Sequence, residues 1–285
     1  MGANDKLIIC AALTGALFQK VDNPNLPTTP DEIAADARRC ADEGASIFHL
    51  HARDHHENAS SNAYYFKPII QAVWHQVPGA IICVSCSGRH NQTLPERAEV
   101  LNLSGIDMAS LTLGSMNFPT GASVNDPFTI RQLARKMQYL GIVPELECFE
   151  LGHVHYSYYL ADQGVLNRPL WFNFFLGNQG TLPANKQYLV NMADIIPEDA
   201  LWAGAGVGRY QADAVGWAIS LGGHVRTGLE DGLRDKHGNL TINPALVQQA
   251  AIWGRMVGRE PATTEEARAM IWGELSTNDR REENT

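Results

Sequence analysis

Two histidines stand one pleat repeat apart in Ile47-Phe48-His49-Leu50-His51-Ala52-Arg53-Asp54. On a β-strand alternate residues share a face, so His49 and His51 present their imidazoles side by side. Two imidazoles are half of a catalytic zinc site, in which three protein ligands leave one position open. The same two residues would also serve as a hydrogen-bonded pair in a polar pocket, so the metal reading needs a third ligand. Glu230, in His224-Val225-Arg226-Thr227-Gly228-Leu229-Glu230-Asp231, supplies a carboxylate of the right kind. His2Glu is a known catalytic zinc set, although cobalt or manganese could occupy it where availability decides. Asp231 would then be free to act as a base, with Arg226 steadying its charge or that of an enolate-like intermediate. Glu230 and Asp231 also fit a solvated loop pair.

Two further groups suit an anionic ligand. Gly204-Ala205-Gly206-Val207-Gly208-Arg209 places glycines before a helix, where exposed backbone N–H groups cradle phosphates. Ser85, Ser87, Gly88, Arg89 and Ser110 offer hydroxyls and amides that could bind a carboxylate, and are also ordinary loop formers. His153-Val154-His155 opens a helical stretch, where alternate residues diverge, and is read as structural. His55 and His56 read as solvated loop, and Tyr156, Tyr158 and Tyr159 as helix packing. Cys83 and Cys86 form a C-x-x-C, but on a strand residues three apart face opposite ways, which argues against a redox or metal pair.

These residues need a scaffold that gathers strand ends. Short apolar runs at 7–13, 46–51, 80–85, 108–111, 143–148, 170–175, 201–204 and 224–227 alternate with helical patterns. Thr29-Pro30-Asp31-Glu32 has the N-cap, first-turn proline and capping-box glutamate of a helix start. Helical periodicity continues at 95–103, 126–140, 212–221 and 243–257, and again in a tail segment at 264–275. Eight β–α repeats without a Gly-rich fingerprint after the first strand predict an α/β fold, a (β/α)8 TIM barrel with a C-terminal helical extension. A single domain over 1–285 is expected, with 264–285 as that extension and its end frayed or packed on a neighbouring subunit. The histidines then lie at the C-terminal end of strand two, where barrel active sites form, and Glu230 follows strand eight, across the mouth.

The composition agrees with a globular enzyme: 285 residues, 45% hydrophobic and 19% charged. Lys+Arg 22 against Asp+Glu 31 leaves a net charge of −9, which repels nucleic acid and anionic lipid alike. Five scattered cysteines do not form a disulfide framework. Neither a signal peptide nor a membrane-spanning run is evident, so the default expectation is a cytoplasmic protein.

Taken in order, Ala12-Leu13-Thr14-Gly15-Ala16, Pro24-Asn25-Leu26-Pro27, His49-Leu50-His51, Pro144-Glu145-Leu146-Glu147-Cys148, Gly206-Val207-Gly208-Arg209 and Gly222 through Asp231 resemble the beta-keto acid cleavage enzymes. This family includes the 3-keto-5-aminohexanoate cleavage enzyme, and the likeness runs from Leu7 through the tail. The resemblance implies a zinc-dependent barrel, a homotetramer, converting a 3-oxo acid and acetyl-CoA into acetoacetate and a new acyl-CoA. By the same resemblance His49, His51 and Glu230 are the zinc ligands, Asp231 the general base and Arg226 its partner. Ser85 and Ser110 would hold the substrate carboxylate, Ser110 standing where the family has Thr, and Gly206, Gly208 and Arg209 would lie near CoA. The aminohexanoate enzyme has a Glu after Thr-Gly-Ala to receive the substrate ammonium; here that position is Leu17. An apolar residue cannot compensate a buried ammonium, so a neutral or apolar tail is expected. A trimethylammonium tail held by aromatic rings is the remaining cationic option. The rival readings are a metal-dependent barrel hydrolase, whose H-x-H typically lies on the first strand, a class II-type aldolase, which needs no acetyl-CoA, and a barrel binding protein with a structural zinc.

Overall fold

The computed structural model describes residues 6–89, 92–118 and 121–273. Eight parallel strands close into a barrel: β1 (Ile9–Ala12), β2 (Ile47–Leu50), β3 (Ile81–Val84), β4 (Met108–Thr112), β5 (Val143–Cys148), β6 (Trp171–Leu176), β7 (Leu201–Gly206) and β8 (His224–Thr227). Each pairs with the next, and the ring closes where Val225 of β8 sits opposite Ile9 of β1. All eight strands expected from the sequence are present, with ends differing by a few residues. The largest difference is at the start, where Lys6–Leu7 leaves the barrel to pair with Glu260–Pro261.

The helices are α1 (Pro30–Asp42), α2 (Ala63–Gln76), α3 (Leu94–Glu99), α4 (Pro127–Leu140), α5 (Leu151–Asp162), α6 (Lys186–Asp194), α7 (Gln211–Ser220), α8 (Asn243–Met256) and α9 (Thr264–Trp272). α1 starts as its sequence dictates: Thr29 accepts from Glu32 N and Glu32 reaches back to Thr29 N, a reciprocal capping box with Pro30 behind it. α9 is the C-terminal helical extension; the end of the tail, residues 274–285, lies outside the described residues.

Strand alternation sorts the side chains into two cores. Phe48, Leu50, Ile82, Val84, Leu111, Leu146, Phe172 and Phe174 point outward and pack beneath the helices. Ile8, Cys10, Ile47, Ile81, Cys83, Met108, Trp171 and Ala203 point inward and fill the lower barrel, capped by Ala262, Ala267 and Ile271. Cys83 and Cys86 accordingly fall in different cores, and all five cysteines are free and buried. Above the inner apolar layers the same strands turn ionisable groups into the barrel, which builds the upper end as a site. No described helix is long and apolar enough to cross a membrane.

Candidate functional site

Three side chains converge at the upper end of the barrel. His49 leaves β2 and His51 follows one residue beyond it, on the same face, with ring centroids 5.3 Å apart. Glu230 arrives from the other side of the β1 edge. Its Oε1 lies 3.2 Å from His51 Nε2 and 3.7 Å from His49 Nε2. One ligand atom from each of the three falls within 4.8 Å of the others. The loop after β8 reaches this position because Gly228 has a φ of +156°, and a Cβ there would sit 2.0 Å from Ala12 O. Glu230 N then donates to Ala12 O at 3.2 Å, while Asn243 accepts from Leu229 N and donates to Leu13 O. Gly15, at φ +63°, leaves no room for a side chain either: its Cβ would meet Glu230 Cγ at 2.7 Å.

Arg226 occupies the centre, fully buried on β8. It donates to Glu230 Oε1 at 2.6 Å and to Asp231 Oδ2 at 3.0 Å. Its Nη1 stands 3.5 Å from Glu145 and 3.9 Å from Glu147, with no hydrogen-bond partner among the described residues. Four carboxylates, Glu145 and Asp231 buried and Glu147 and Glu230 slightly exposed, therefore face one guanidinium. Burial raises Asp231, and Glu230 beside it adds to the rise, while Arg226 opposes both. Burial likewise raises Glu147, with Glu145 adding to it. Against a large burial penalty, His51, Arg226 and His49 hold Glu230 well below the usual carboxylate range. Burial drives His51 down, which favours the neutral imidazole that a metal requires.

The donor set fits a divalent cation. Glu230 Oε2 is buried without a hydrogen-bond partner among the described residues, an orphaned lone pair beside two imidazole nitrogens. An excess of buried negative charge is costly, and a dication offsets it. His49 has an orienting group as well: Nδ1 stands 2.9 Å from Glu145 Oε2, off the ideal N–H direction, and Glu145 is itself fixed by Asn173 at 3.0 Å. A second trio, His49, Cys83 and Glu145, is equally close. It lies deeper, burial keeps the Cys83 thiol protonated, and Glu145 is already engaged by Asn173, so it offers no open position.

A cavity of about 340 Å³ opens above these groups, lined by His51, Ser85, Arg226, Glu230, Asp231 and Leu17 among others. Phe149 and Phe175 stack at 4.5 Å and form one wall, with Phe118 edge-on to Phe149. A cavity of about 260 Å³ at the opposite end is lined by Trp171, Ile271 and Trp272 and holds no comparable cluster of ionisable groups.

A family model for beta-keto acid cleavage enzymes matches residues 6–272. The chain belongs to that family. It is 37% identical over 268 residues to the 3-oxoadipate:acetyl-CoA acetyltransferase of Cupriavidus necator, covering 93% of this chain and 94% of that one. It is also 37% identical to the 3-keto-5-aminohexanoate cleavage enzyme of Fusobacterium nucleatum subsp. nucleatum, over 94% of this chain and 98% of the relative. By these relationships it is an enzyme, an acyltransferase. Among solved structures, apo ObcA matches with a TM-score of 0.74 at 20% identity, over 87% of this chain and 65% of the ObcA chain, so this chain spans about two thirds of ObcA's length. That likeness bears on the fold.

Within this beta-keto acid cleavage enzyme the residues singled out from the sequence do not all reach the cavity. His51, Glu230, Asp231, Arg226, Ser85, Leu17, Gly208 and Arg209 line it, and His49 sits directly beneath. Ser110 does not: it is buried one layer lower, its hydroxyl accepting from Cys86 N at 2.9 Å. Thr112, two residues on and on the same face, lines the cavity instead and is bonded to Glu147 at 2.5 Å. Gly206 is also absent from the lining. A Cβ on it would collide with Tyr210 O, so this glycine serves the packing of strand against helix. Gly208 N donates to Asp231 O at 2.6 Å, which ties the glycine loop to the acid loop rather than leaving that amide free for phosphate. His153 is structural as expected, its Nδ1 accepting from Phe149 N and burial lowering it to about 4. Nothing local in the sequence marks Arg53 and Arg97, yet both shape the mouth. Arg53 donates to Gly15 O and Phe18 O, fixing the loop that carries Leu17. Arg97 donates to Cys86 O and Asn125, fixing the loop after β3.

Proposed function

We propose that this enzyme converts a 3-oxo acid and acetyl-CoA into acetoacetate and a new acyl-CoA, with a divalent metal, zinc for preference, held by His49, His51 and Glu230. The observation that carries the reading is the convergence of two imidazoles and an orphaned carboxylate oxygen beside a base and a guanidinium. Relatives named for acetyl-CoA and a 3-oxo acid support it, including the 3-dehydrocarnitine:acetyl-CoA trimethylamine transferase of Rhizobium meliloti at 27% identity. When bound, the metal acts as a Lewis acid toward the ketone and carboxylate oxygens of the substrate.

The chain's own groups account for the proton and charge transfers. Asp231 takes a proton from C2 of the 3-oxo acid, and Arg226 steadies the enolate charge that results. C2 bonds to the thioester carbonyl of acetyl-CoA and the CoA thiolate leaves. The thiolate then adds to the C3 ketone, the C2–C3 bond breaks, and the proton returns from Asp231 to C2. Acetoacetate and the new thioester account for every atom. Ser85 receives the substrate carboxylate, and Gly208 and Arg209 at the rim lie toward CoA. Leu17, 43% exposed at the mouth, provides no countercharge for an ammonium and suits an apolar stretch of substrate tail. We further propose one domain, a homotetramer and a cytoplasmic location.

Incubating the purified protein with acetyl-CoA and a panel of 3-oxo acids, with and without chelator, tests the reaction by mass spectrometry of the CoA esters. A new ester with acetoacetate, lost on metal removal, is expected. Turnover without acetyl-CoA would move the assignment to an aldolase or hydrolase.

A further inference from the structure

Three arginines line the cavity, and two of them are already engaged. Arg226 is bonded to Glu230 and Asp231. Arg209 is exposed at the rim, donates to Tyr210 Oη at 2.6 Å and rests on its ring. Arg89 differs. Its guanidinium lies 3.7 Å over the centre of the Phe118 ring, and no carboxylate of the described residues comes within ion-pair distance of it. Among the described residues only its backbone N is bonded, to Ser87 Oγ at 3.2 Å. A guanidinium carries five donors and a permanent charge; Glu230, Glu147 and Asp231 favour that charge from beyond ion-pair distance, but none of them meets its donors, which stay open to a ligand anion.

The surroundings define that ligand. The loop bearing Arg89 is anchored from below by Arg97, which grips Cys86 O and Asn125, so the guanidinium is presented by a braced segment. Ser85, at the start of the same loop, lies beside the metal-ligand end of the cavity. Phe118, Phe149 and Phe175 supply apolar wall, and Leu17 lies at the mouth. A cavity with ionisable groups at the reacting end, apolar walls and an unpaired cation matches a short methylene chain ending in a second carboxylate.

We propose that Arg89 is a specificity-determining residue that receives the distal carboxylate of a 3-oxo dicarboxylic acid. This rests on the acetyl-CoA-dependent cleavage set out above and names its substrate class. The step balances as before: the C2–C3 bond breaks, C2 leaves in acetoacetate, and the carboxyalkyl carbonyl leaves as an ω-carboxyacyl-CoA. The tail is apolar along the stretch beside Leu17 and anionic at its end, which departs from the wholly neutral or apolar tail expected from the sequence. A relative named for 3-oxoadipate, at 37% identity, accords with this class.

The test compares 3-oxoadipate with 3-oxohexanoate, equal in chain length and differing in the terminal carboxylate, using full-length metal-loaded enzyme and acetyl-CoA. Wild type is expected to favour 3-oxoadipate in kcat/KM. Arg89→Gln should lower kcat/KM for 3-oxoadipate by roughly ten- to a hundredfold, as loss of a charge-assisted hydrogen bond does. The same variant should leave 3-oxohexanoate and the KM for acetyl-CoA unchanged, and Arg89→Lys should restore part of the preference. An equal fall on both acids would overturn the proposal, because Arg89 would then hold the shared carboxylate or the fold. A rise in KM for acetyl-CoA alone would overturn it in favour of a CoA contact. Esters from 3-oxohexanoate alone overturn only the role of Arg89, whereas no ester from any 3-oxo acid overturns the underlying reaction as well.

Discussion

At the lower end of the barrel the inward layer is Ile8, Ile47, Ile81, Met108 and Trp171, sealed by Ala262, Ala267 and Ile271. At the upper end the same strands and their following loops bring His49, His51, Glu145, Glu147, Arg226 and Asp231 together. Backbone geometry is common to both ends, and the polarity of every second residue differs. Each fully buried aliphatic side chain below stabilises by about 1.5–3 kcal/mol. Each charge above carries a desolvation cost that only specific partners offset. The comparison teaches that one end is built for stability and the other is held in place by it.

Asp231→Asn should break that division most visibly. It keeps the shape beside Arg226 but removes the base, so kcat should fall by about 10²–10⁴ while the thermal midpoint scarcely moves. A variant that unfolds early but turns over normally when folded would show that Asp231 serves structure instead.

Ile81→Ala is the converse experiment at the lower end. Ile81 is fully buried in the inner layer, and its truncation should cost about 2–5 kcal/mol in a denaturant melt. The kcat/KM of the folded fraction should be unaltered; a large loss would mean that the lower layer tunes the site directly.

The smallest effect concerns His224, a polar residue at the foot of β8. Its Nδ1 accepts from Ile8 N at 3.1 Å, and burial, assisted by the charge of Arg259, lowers its pKa to about 3. In the unfolded chain an imidazole takes up its proton near pH 6.5, while the folded chain resists it until about 3. The stability it contributes is therefore complete above pH 6.5 and is lost as pH falls through that window, at up to about 1.4 kcal/mol per pH unit. Urea melts at pH 7 and pH 5 should show a shallower decline in His224→Asn than in wild type. Parallel declines would place the acid sensitivity elsewhere, His51 and His153 being the other imidazoles that burial lowers.

Much of this was legible in the chain. The eight apolar runs, the capping box at Thr29 and Glu32, and the common face of His49 and His51 all follow from periods of 2 and 3.6 residues. Glu230 could be placed across the mouth because barrel closure puts strand eight beside strand one. Ser110 was harder: its face is readable, but its depth along the barrel axis depends on stagger, which set it one layer below the cavity and brought Thr112 level with it. Arg89 shows the same limit, since a loop arginine after a strand has no local mark of being unpaired.

Local pattern by itself determined the element order, the number of strands and the residue types turned toward the barrel axis, because alternation and capping depend on neighbours in sequence. Only the tertiary structure decided which charges meet. Four carboxylates come from one strand and one loop, and whether Arg226 satisfies them, or Arg89 is left without an ion-pair partner, depends on distances across a closed barrel. Electrostatic energy follows those distances and the burial around them, and neither is a property of any short stretch of chain.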